Sequence, residues 1–414
     1  MKLLALSILA MFGSTALAQP APPPAPDAPT PPPPTEPAPV PAQPDTPTPP
    51  TATPTPTPTP PTQPAAAEPA PKDPKRLPAG SEGFFQPGVL LQGWALLDQA
   101  ARATATPCGS ADSCTTFRIR RAELAAKGEI LPKRVAYRMM FDPAKVREFA
   151  NTTITDGNGM PVTIAQPTSR VSVLQDFYIT YLTQWADVSI GQFKIPVSWE
   201  GYNSSGKLVF PERALGSVRF GDIRDLGIRV EKIKEKWGYS LGLFNGQLSN
   251  NLDNNNQKDF ALRLEAYPIK GLTIAGTTYD SIGLRNRVGT KDRWEGDLRY
   301  DNGTILVQAE YIYARDIAAM AGQFVTGQSF YVLGGYTIKN PALHGDLQPA
   351  VRVGRLDPNR DTSGDATTQY DVGLNYYLKG HEMKFQGNYT RFQSQNTSVK
   401  PSVNEVVLAA QVSY

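Results

Sequence analysis

NEVVLAAQVSY, residues 404–414, alternates between two kinds of side chain. Tyr414, Val412, Ala410, Leu408 and Val406 form an apolar face, and Ser413, Gln411, Ala409 and Val407 form a smaller, partly polar one. Successive side chains of a strand point to opposite faces, so this stretch reads as a strand between two different environments. It ends on an aromatic residue after about ten residues, the length that crosses hydrocarbon at a tilt. A strand of a soluble sandwich would ordinarily run on into a turn. A membrane-crossing strand is therefore the expectation, and the rest of the chain must agree with it.

Composition permits this. The 414 residues carry a formal charge of +3 and 40% hydrophobic side chains, with a mean hydropathy of −0.34. No internal stretch has the length and apolarity of a spanning helix, so a position in the membrane requires a closed barrel, whose polar inner face lowers the average hydropathy. Met1-Lys2, an apolar run at 3–12 broken only by Ser7, and Ala16-Leu17-Ala18 read as a secretory signal peptide over 1–18. Residues 19–80 hold 27 of the 40 prolines and a Thr-Pro repeat at 53–60. Proline fixes φ and lacks an amide donor, so this arm is expected to be polyproline II or disordered. As a periplasmic linker it reaches at most about 190 Å. Its basic end at Lys72, Lys75 and Arg76 offers a small contact for anionic polymer or lipid head groups. Residues 81–414 form the remaining domain. The two cysteines, Cys108 and Cys114, stand close together in an exported chain and read as one disulfide closing a loop.

Beyond Gly80, amphipathic strands are expected at 88–98, 115–127, 133–142, 170–182, 184–194, 223–233, 236–245, 257–267, 271–281, 290–300, 303–313, 326–338, 347–357, 367–378, 381–392 and 404–414. Connections after odd-numbered strands are long and those after even-numbered strands short, which predicts an all-β, antiparallel transmembrane barrel of about sixteen strands with both ends on the periplasmic side. Tyr370, Val372, Leu374, Tyr376 and Leu378 share one face of their strand, as do Ile305, Val307, Ala309, Tyr311 and Tyr313 of theirs. The opposite faces carry Asp371 and Asn375, and Gln308 and Glu310, so the interior is expected to be polar and wet. Leu408, Val412 and Tyr414 resemble the C-terminal signal by which the assembly machinery takes up outer-membrane barrels.

Alternation places Arg118, Arg120, Arg134, Arg138, Arg229, Arg263, Arg293, Arg299, Arg352 and Lys384 in the lumen. It places Asp176, Asp187, Asp225, Glu231, Glu265, Glu295, Asp297, Glu310 and Asp371 there too. Two readings stay open. The arginines of the second and third strands make a basic wall that favours anions, or interior charges pair across strands and brace the barrel. From Leu77 onward 37 basic residues face 33 acidic ones, too small an excess to decide. Arg121 and Glu123 share the parity of Phe117 and Ile119, and an arginine facing lipid near the midplane costs about 2–4 kcal/mol. A bulge that resets the register, a subunit contact and a position near the interface are the three solutions.

Five segments occur in order: FRIRRAEL (117–124), LQDFYITY (174–181), GQFKIP (191–196), PERA (211–214) and RDLG (224–227). Together they resemble the phosphate-selective porin family of O and P type, over about 82–414. The resemblance implies a sixteen-stranded, usually trimeric outer-membrane porin for passive diffusion of small hydrophilic solutes or anions, whose third long loop folds inward. Here that loop is 195–222, with Lys207, Arg213 and Arg219 as candidates for the narrowing. With Arg118, Arg120, Arg134, Arg138, Arg229, Arg263 and Arg352 they make the expected anion-contacting set. Lys207 is the only lysine within the loop, which speaks against a dedicated phosphate site and for a looser, general-purpose pore as the alternative.

The expected partners are outer-membrane lipid, the barrel assembly machinery, further copies of the chain in a homotrimer, and peptidoglycan through the Pro-rich arm. No nucleic-acid partner, cofactor or metal is expected. Catalysis is poorly supplied, with His344 and His381 the only histidines and no second histidine at helical spacing from His381-Glu382. The alternative to a pore is an anchor, in which the barrel holds the arm against the cell wall and conduction is secondary.

Overall fold

Every second side chain along the strands is apolar and faces out, and the residues between them are polar and face in. A computed structural model of the chain describes residues 76–80, 82–98, 114–147, 149–155, 161–167, 173–253, 256–281, 291–317, 324–340, 342, 344–398 and 402–414. Sixteen strands close one barrel. They are β1 (Gly83–Asp98), β2 (Cys114–Leu131), β3 (Val135–Phe141), β4 (Leu174–Tyr181), β5 (Asp187–Lys194), β6 (Arg224–Ile233), β7 (Trp237–Phe244) and β8 (Asp259–Ala266). β9 (Leu272–Ser281), β10 (Lys291–Asp301), β11 (Ile305–Ile317), β12 (Phe324–Tyr336), β13 (Gly345–Asp357), β14 (Thr367–Lys379), β15 (Met383–Ser394) and β16 (Val403–Ser413) complete it. Each pairs antiparallel with its neighbours in the chain, and β1 meets β16 from Leu90↔Ser413 to Asp98↔Glu405. Val89 and Tyr414 exchange backbone hydrogen bonds of 2.9 and 3.2 Å at this seam. Closure leaves no sheet edge to be satisfied in hydrocarbon.

Val372 and Leu374 are 58% and 50% exposed, whereas Asp371 and Asn375 on either side of the pair are 1% and 2% exposed. The same holds on β11, where Val307 and Tyr311 face out and Gln308 and Glu310 are buried. Leu408, Val412 and Tyr414 all lie on the outer face. Left in water, each such large apolar side chain forgoes roughly 1.5–3 kcal/mol, so this outer belt requires lipid.

Short turns and long loops sort to opposite ends, as the spacing predicts. The connection after β3 contains a 3₁₀ turn, Pro143–Arg147, and a hairpin of Phe149–Thr155 with Pro161–Pro167, where the sequence reading had only a loop. Leu77–Ala79, within the segment assigned to the arm, pairs with Gly83–Phe85. The signal peptide, the arm up to residue 75 and Cys108 lie outside the described residues, and the disulfide with them.

The misfit in β2 is a bulge. Gln92 pairs with Arg121 and Gly93 with Ile119, leaving Arg120 as the extra residue. Arg120 and Arg121 consequently both turn inward, and Arg121 Nη1 donates to Gln92 Oε1 at 2.6 Å. Glu123 also points in, accepting from Ser205 Oγ at 2.9 Å. Arg134, by contrast, is not in the lumen. It sits in the exposed turn between β2 and β3, where the chain must reverse and alternation no longer applies.

Val372→Arg is expected to lower stability by about 2–4 kcal/mol in denaturant titrations in lipid vesicles, and exposed Lys379→Ala by under about 0.5 kcal/mol. Equal effects would mean that Val372 does not face hydrocarbon.

Candidate functional site

The third long loop, 195–223, runs inside the barrel. Its neck is closed by Ile195 N donating to Ile223 O at 3.0 Å. Ser198 adopts a φ of 66°, a conformation costing on the order of 1–3 kcal/mol for a residue with a Cβ. The turn is held from the wall. Ser198 Oγ donates to both oxygens of Glu310 on β11 at 2.9 Å, Trp199 N donates to Oε2 at 2.6 Å, and Ser217 Oγ from the far end of the loop donates to Oε1 at 2.9 Å.

The middle of the loop is held by β13, β15 and β16. Lys384 Nζ donates to Leu208 O at 2.7 Å, Gln386 Nε2 to Val209 O at 2.7 Å, and Gln411 Nε2 to Gly206 O at 3.0 Å. Glu200 lies 3.3 Å from Arg352 and accepts from Ala214 N at 2.7 Å. Burial pushes the Glu200 carboxyl up, against the pull of Arg352. Apolar contacts add to this. Val209, Phe210 and Ala214 pack with Leu306, Tyr331, Leu333 and Ala350, and Phe220 packs with Ile312 and Ala314. A Cβ on Gly216 would lie 2.0 Å from Ser329 Oγ, so only glycine lets the loop approach β12 this closely.

One side of the lumen is thus filled, and a cavity of about 720 Å³ remains between the loop and β2–β6. Nine basic side chains and six carboxylates line it. Two of these carboxylates, Asp176 and Asp222, and Glu212 of the loop beside the cavity are each shared by two cations. Glu212 meets Arg120 at 2.5 Å and Arg121 at 3.0 Å; Asp176 meets Arg224 at 2.8 Å and Arg138 at 3.1 Å; Asp222 meets Lys194 at 3.0 Å and Arg213 at 3.3 Å. Burial alone would raise the loop carboxyls, but Arg121 and Arg120 hold Glu212 well below the usual carboxylate range, and Lys194, Arg213 and Arg224 do the same for Asp222. Burial pushes the nearby Tyr202 hydroxyl up to about 12, with Arg229 opposing it.

The ten residues singled out from the sequence separate into three groups. Arg120, Arg138, Arg213 and Arg229 line the cavity. Arg118, stacked 4.5 Å over Trp94, borders a neighbouring groove, Lys207 and Arg219 are exposed elsewhere on the loop, and Arg134 is in its turn. Arg263 and Arg352 face inward as expected but are sealed by carboxylates. Arg263 meets Asp297 and Glu265 at 2.7 Å and Glu295 at 3.2 Å, and Arg352 meets Asp371 at 2.8 Å. Sequence reasoning left out Lys194 and Arg224, although both stand within the motifs quoted above. They share the parity of lipid-facing Val188 and Ile190, and of Ile228, and turn inward only because the chain leaves the wall there.

The sequence matches the profile of a family described as phosphate-selective porin O and P over residues 107–297 and 274–414. No curated protein matches. Among solved structures, an anion-selective porin from Comamonas acidovorans is 11% identical over 80% of this chain and 100% of that one, with a TM-score of 0.55. The outer-membrane channel DcaP of Acinetobacter baumannii is 13% identical over 82% and 99%, also at 0.55. OmpT of Vibrio cholerae in its trimer form is 10% identical over 81% and 100%, at 0.52. At these identities the likeness establishes a shared barrel fold.

Arg263→Met strips three carboxylates of their cation and is expected to cost about 3–5 kcal/mol in unfolding titrations. The ratio of anion to cation permeability is expected to stay as it was, and a changed ratio would place Arg263 on the ion path.

Proposed function

Since the chain belongs to the phosphate-selective porin O and P family and is a porin-type channel of the outer membrane, we propose that it passes small hydrophilic anions by passive diffusion, through a path that loop 195–223 narrows. The observation that carries this reading is the sharing of Glu212, Asp176 and Asp222 by two cations apiece along the open side of the lumen. Positive charge in excess of its partners, within low-dielectric walls, concentrates anions and repels cations. The Comamonas acidovorans porin of the same fold is anion-selective.

Inorganic phosphate is not singled out in this reading. Lys207, the one lysine within the loop, lies outside the main cavity and borders a separate hollow beside His381 and Tyr414. Assembly as a homotrimer belongs to the same proposal. OmpT of Vibrio cholerae has a trimer form, and Phe117 and Ile119, 82% and 68% exposed, give β2 an outward apolar surface for a neighbouring barrel.

In a planar bilayer under a potassium chloride gradient, the reversal potential is expected to report chloride over potassium. A potassium preference would contradict the proposal. Glu212 and Asp222 gain protons only well below the usual carboxylate range, so both stay charged, and the cations stay partnered, from neutral pH down through about 4.5. Glu212→Gln, which frees two arginines, is therefore expected to raise the anion-to-cation permeability ratio above that of the wild type at neutral pH and at about pH 4.5 alike. A difference that vanishes towards pH 4.5 would show that Glu212 titrates in the ordinary carboxylate range. Gly216→Val, whose side chain collides with Ser329, is expected to displace the loop and raise single-channel conductance with strand content unchanged by circular dichroism. Unchanged conductance would mean that the loop does not set the narrow point.

A further inference from the structure

On the outer wall the side chains of β1, β14, β15 and β16 leave an open furrow of about 390 Å³. Gly387, Ala410 and Gly93 form its floor, and Leu374, Phe385 and Leu408, all exposed, stand along its sides. Gly93 opposes the bulge of β2, but nothing nearby demands glycine at 387, where a Cβ would meet only Leu408 Cδ2 at an ordinary 3.7 Å. Glycine weakens a strand interior and leaves room for something to approach. Towards the long loops on the same face stands Arg391 of β15, four residues on from Gly387 and so about 13 Å along the strand. Its Nη1 donates to Asn404 Oδ1 at 2.8 Å. Arg355 of β13, across β14 from it, donates from Nη2 to Gln395 Oε1 at 3.2 Å. Among the described residues neither arginine has a carboxylate partner, and both are half-buried with donors left open at the surface. The Tyr370 and Tyr389 rings beside Arg391 are exposed, as aromatic residues at the level of lipid head groups are.

We propose that this wall binds one anionic lipid of the leaflet at the long-loop end, its head-group phosphate accepting from Arg391 and Arg355 and one acyl chain lying in the furrow. Half of a hydrocarbon core of about 30 Å is about 15 Å, so a chain hung from a phosphate beside Arg391 reaches the level of Gly387. Guanidinium groups suit phosphate oxygens through paired, charge-assisted hydrogen bonds, and lipid phosphates are the anions found at the edge of an apolar belt. A second copy of the chain pressed on this face would cover both charges with its own apolar belt and leave them uncompensated. The site lies outside the lumen and stands apart from the choice of ions that the pore passes.

Native mass spectrometry of the full chain in detergent, with lipid A added, reads both the number of copies and the lipid they retain. Bisphosphorylated lipid A is expected to be retained at concentrations about tenfold or more below those of its dephosphorylated form. Arg355→Gln combined with Arg391→Gln is expected to remove that difference and leave the weaker binding of the acyl chains. Gly387→Leu, whose Cβ meets no obstacle and whose side chain occupies the furrow, is expected to weaken both forms together. Equal retention of the two forms by the wild type, or unchanged retention by Gly387→Leu, would overturn the site. Loss of copies from the Gly387→Leu assembly with lipid retention unchanged would assign the furrow to a second copy of the chain and overturn it as well. Because the two lipids are compared on the wild-type chain, a variant that fails to assemble does not shelter the proposal.

Discussion

Glu310 is the post to which both ends of the inner loop are tied. Its carboxylate, on the inward face of β11, accepts from Ser198 and Trp199 at the start of the loop and from Ser217 near its end. Three donors on one buried acceptor pull the two limbs together and set the direction in which the loop crosses the lumen. Lys384, Gln386 and Gln411 then take up the backbone carbonyls of its middle. A loop within a barrel has to place its backbone polar groups somewhere, and here the inward residues of β11, β15 and β16 receive them.

This docking divides the interior electrostatically. Around β8–β14 the arginines meet their full complement of carboxylates: Arg263 with three, Arg352 with Asp371 and Glu200, Arg293 with Asp316, and Arg315 with Asp292. These charges brace the wall and seat the loop. Around β2–β6 the ratio inverts, and single carboxylates serve pairs of cations facing open space. Bracing describes the interior charges around β8–β14, and the basic wall is the part of the proposed anion path that belongs to β2–β6. The bulge at Arg120 is what tips the balance on β2, because it turns two successive arginines inward where regular pleating would send one into lipid.

The barrel was legible in the sequence because alternation is strictly local: Val372 beside Asp371, or Val307 beside Gln308, announces two solvents without knowledge of any partner strand. Strand number, turn lengths and the outward placement of Leu408, Val412 and Tyr414 all follow from it. Arg138 and Arg229 were legible because they sit within regular strand, whereas Arg213 came from the inward loop that the family resemblance implies and Arg120 sits at the bulge. Lys194 and Arg224 flank the point where the chain departs from the wall, and Arg134 lies where it turns, so parity misleads at each. Whether an inward arginine is open or sealed depends on carboxylates far away in the chain. Arg263 owes its neutralisation to Glu295 and Asp297, and Arg352 part of its own to Glu200, and no periodicity encodes such encounters.

The central claim is that ions pass along β2–β6 and not behind the loop. Cysteine accessibility addresses it directly, in chains with Cys108 and Cys114 replaced by serine and a single cysteine introduced at Arg138 on the open side or at Asn375 on the filled side. With a charged, water-soluble thiol reagent added to the open channel, the expected result is a stepwise change of current for Arg138→Cys and none for Asn375→Cys. The reverse pattern, or an equal response at both positions, would contradict it.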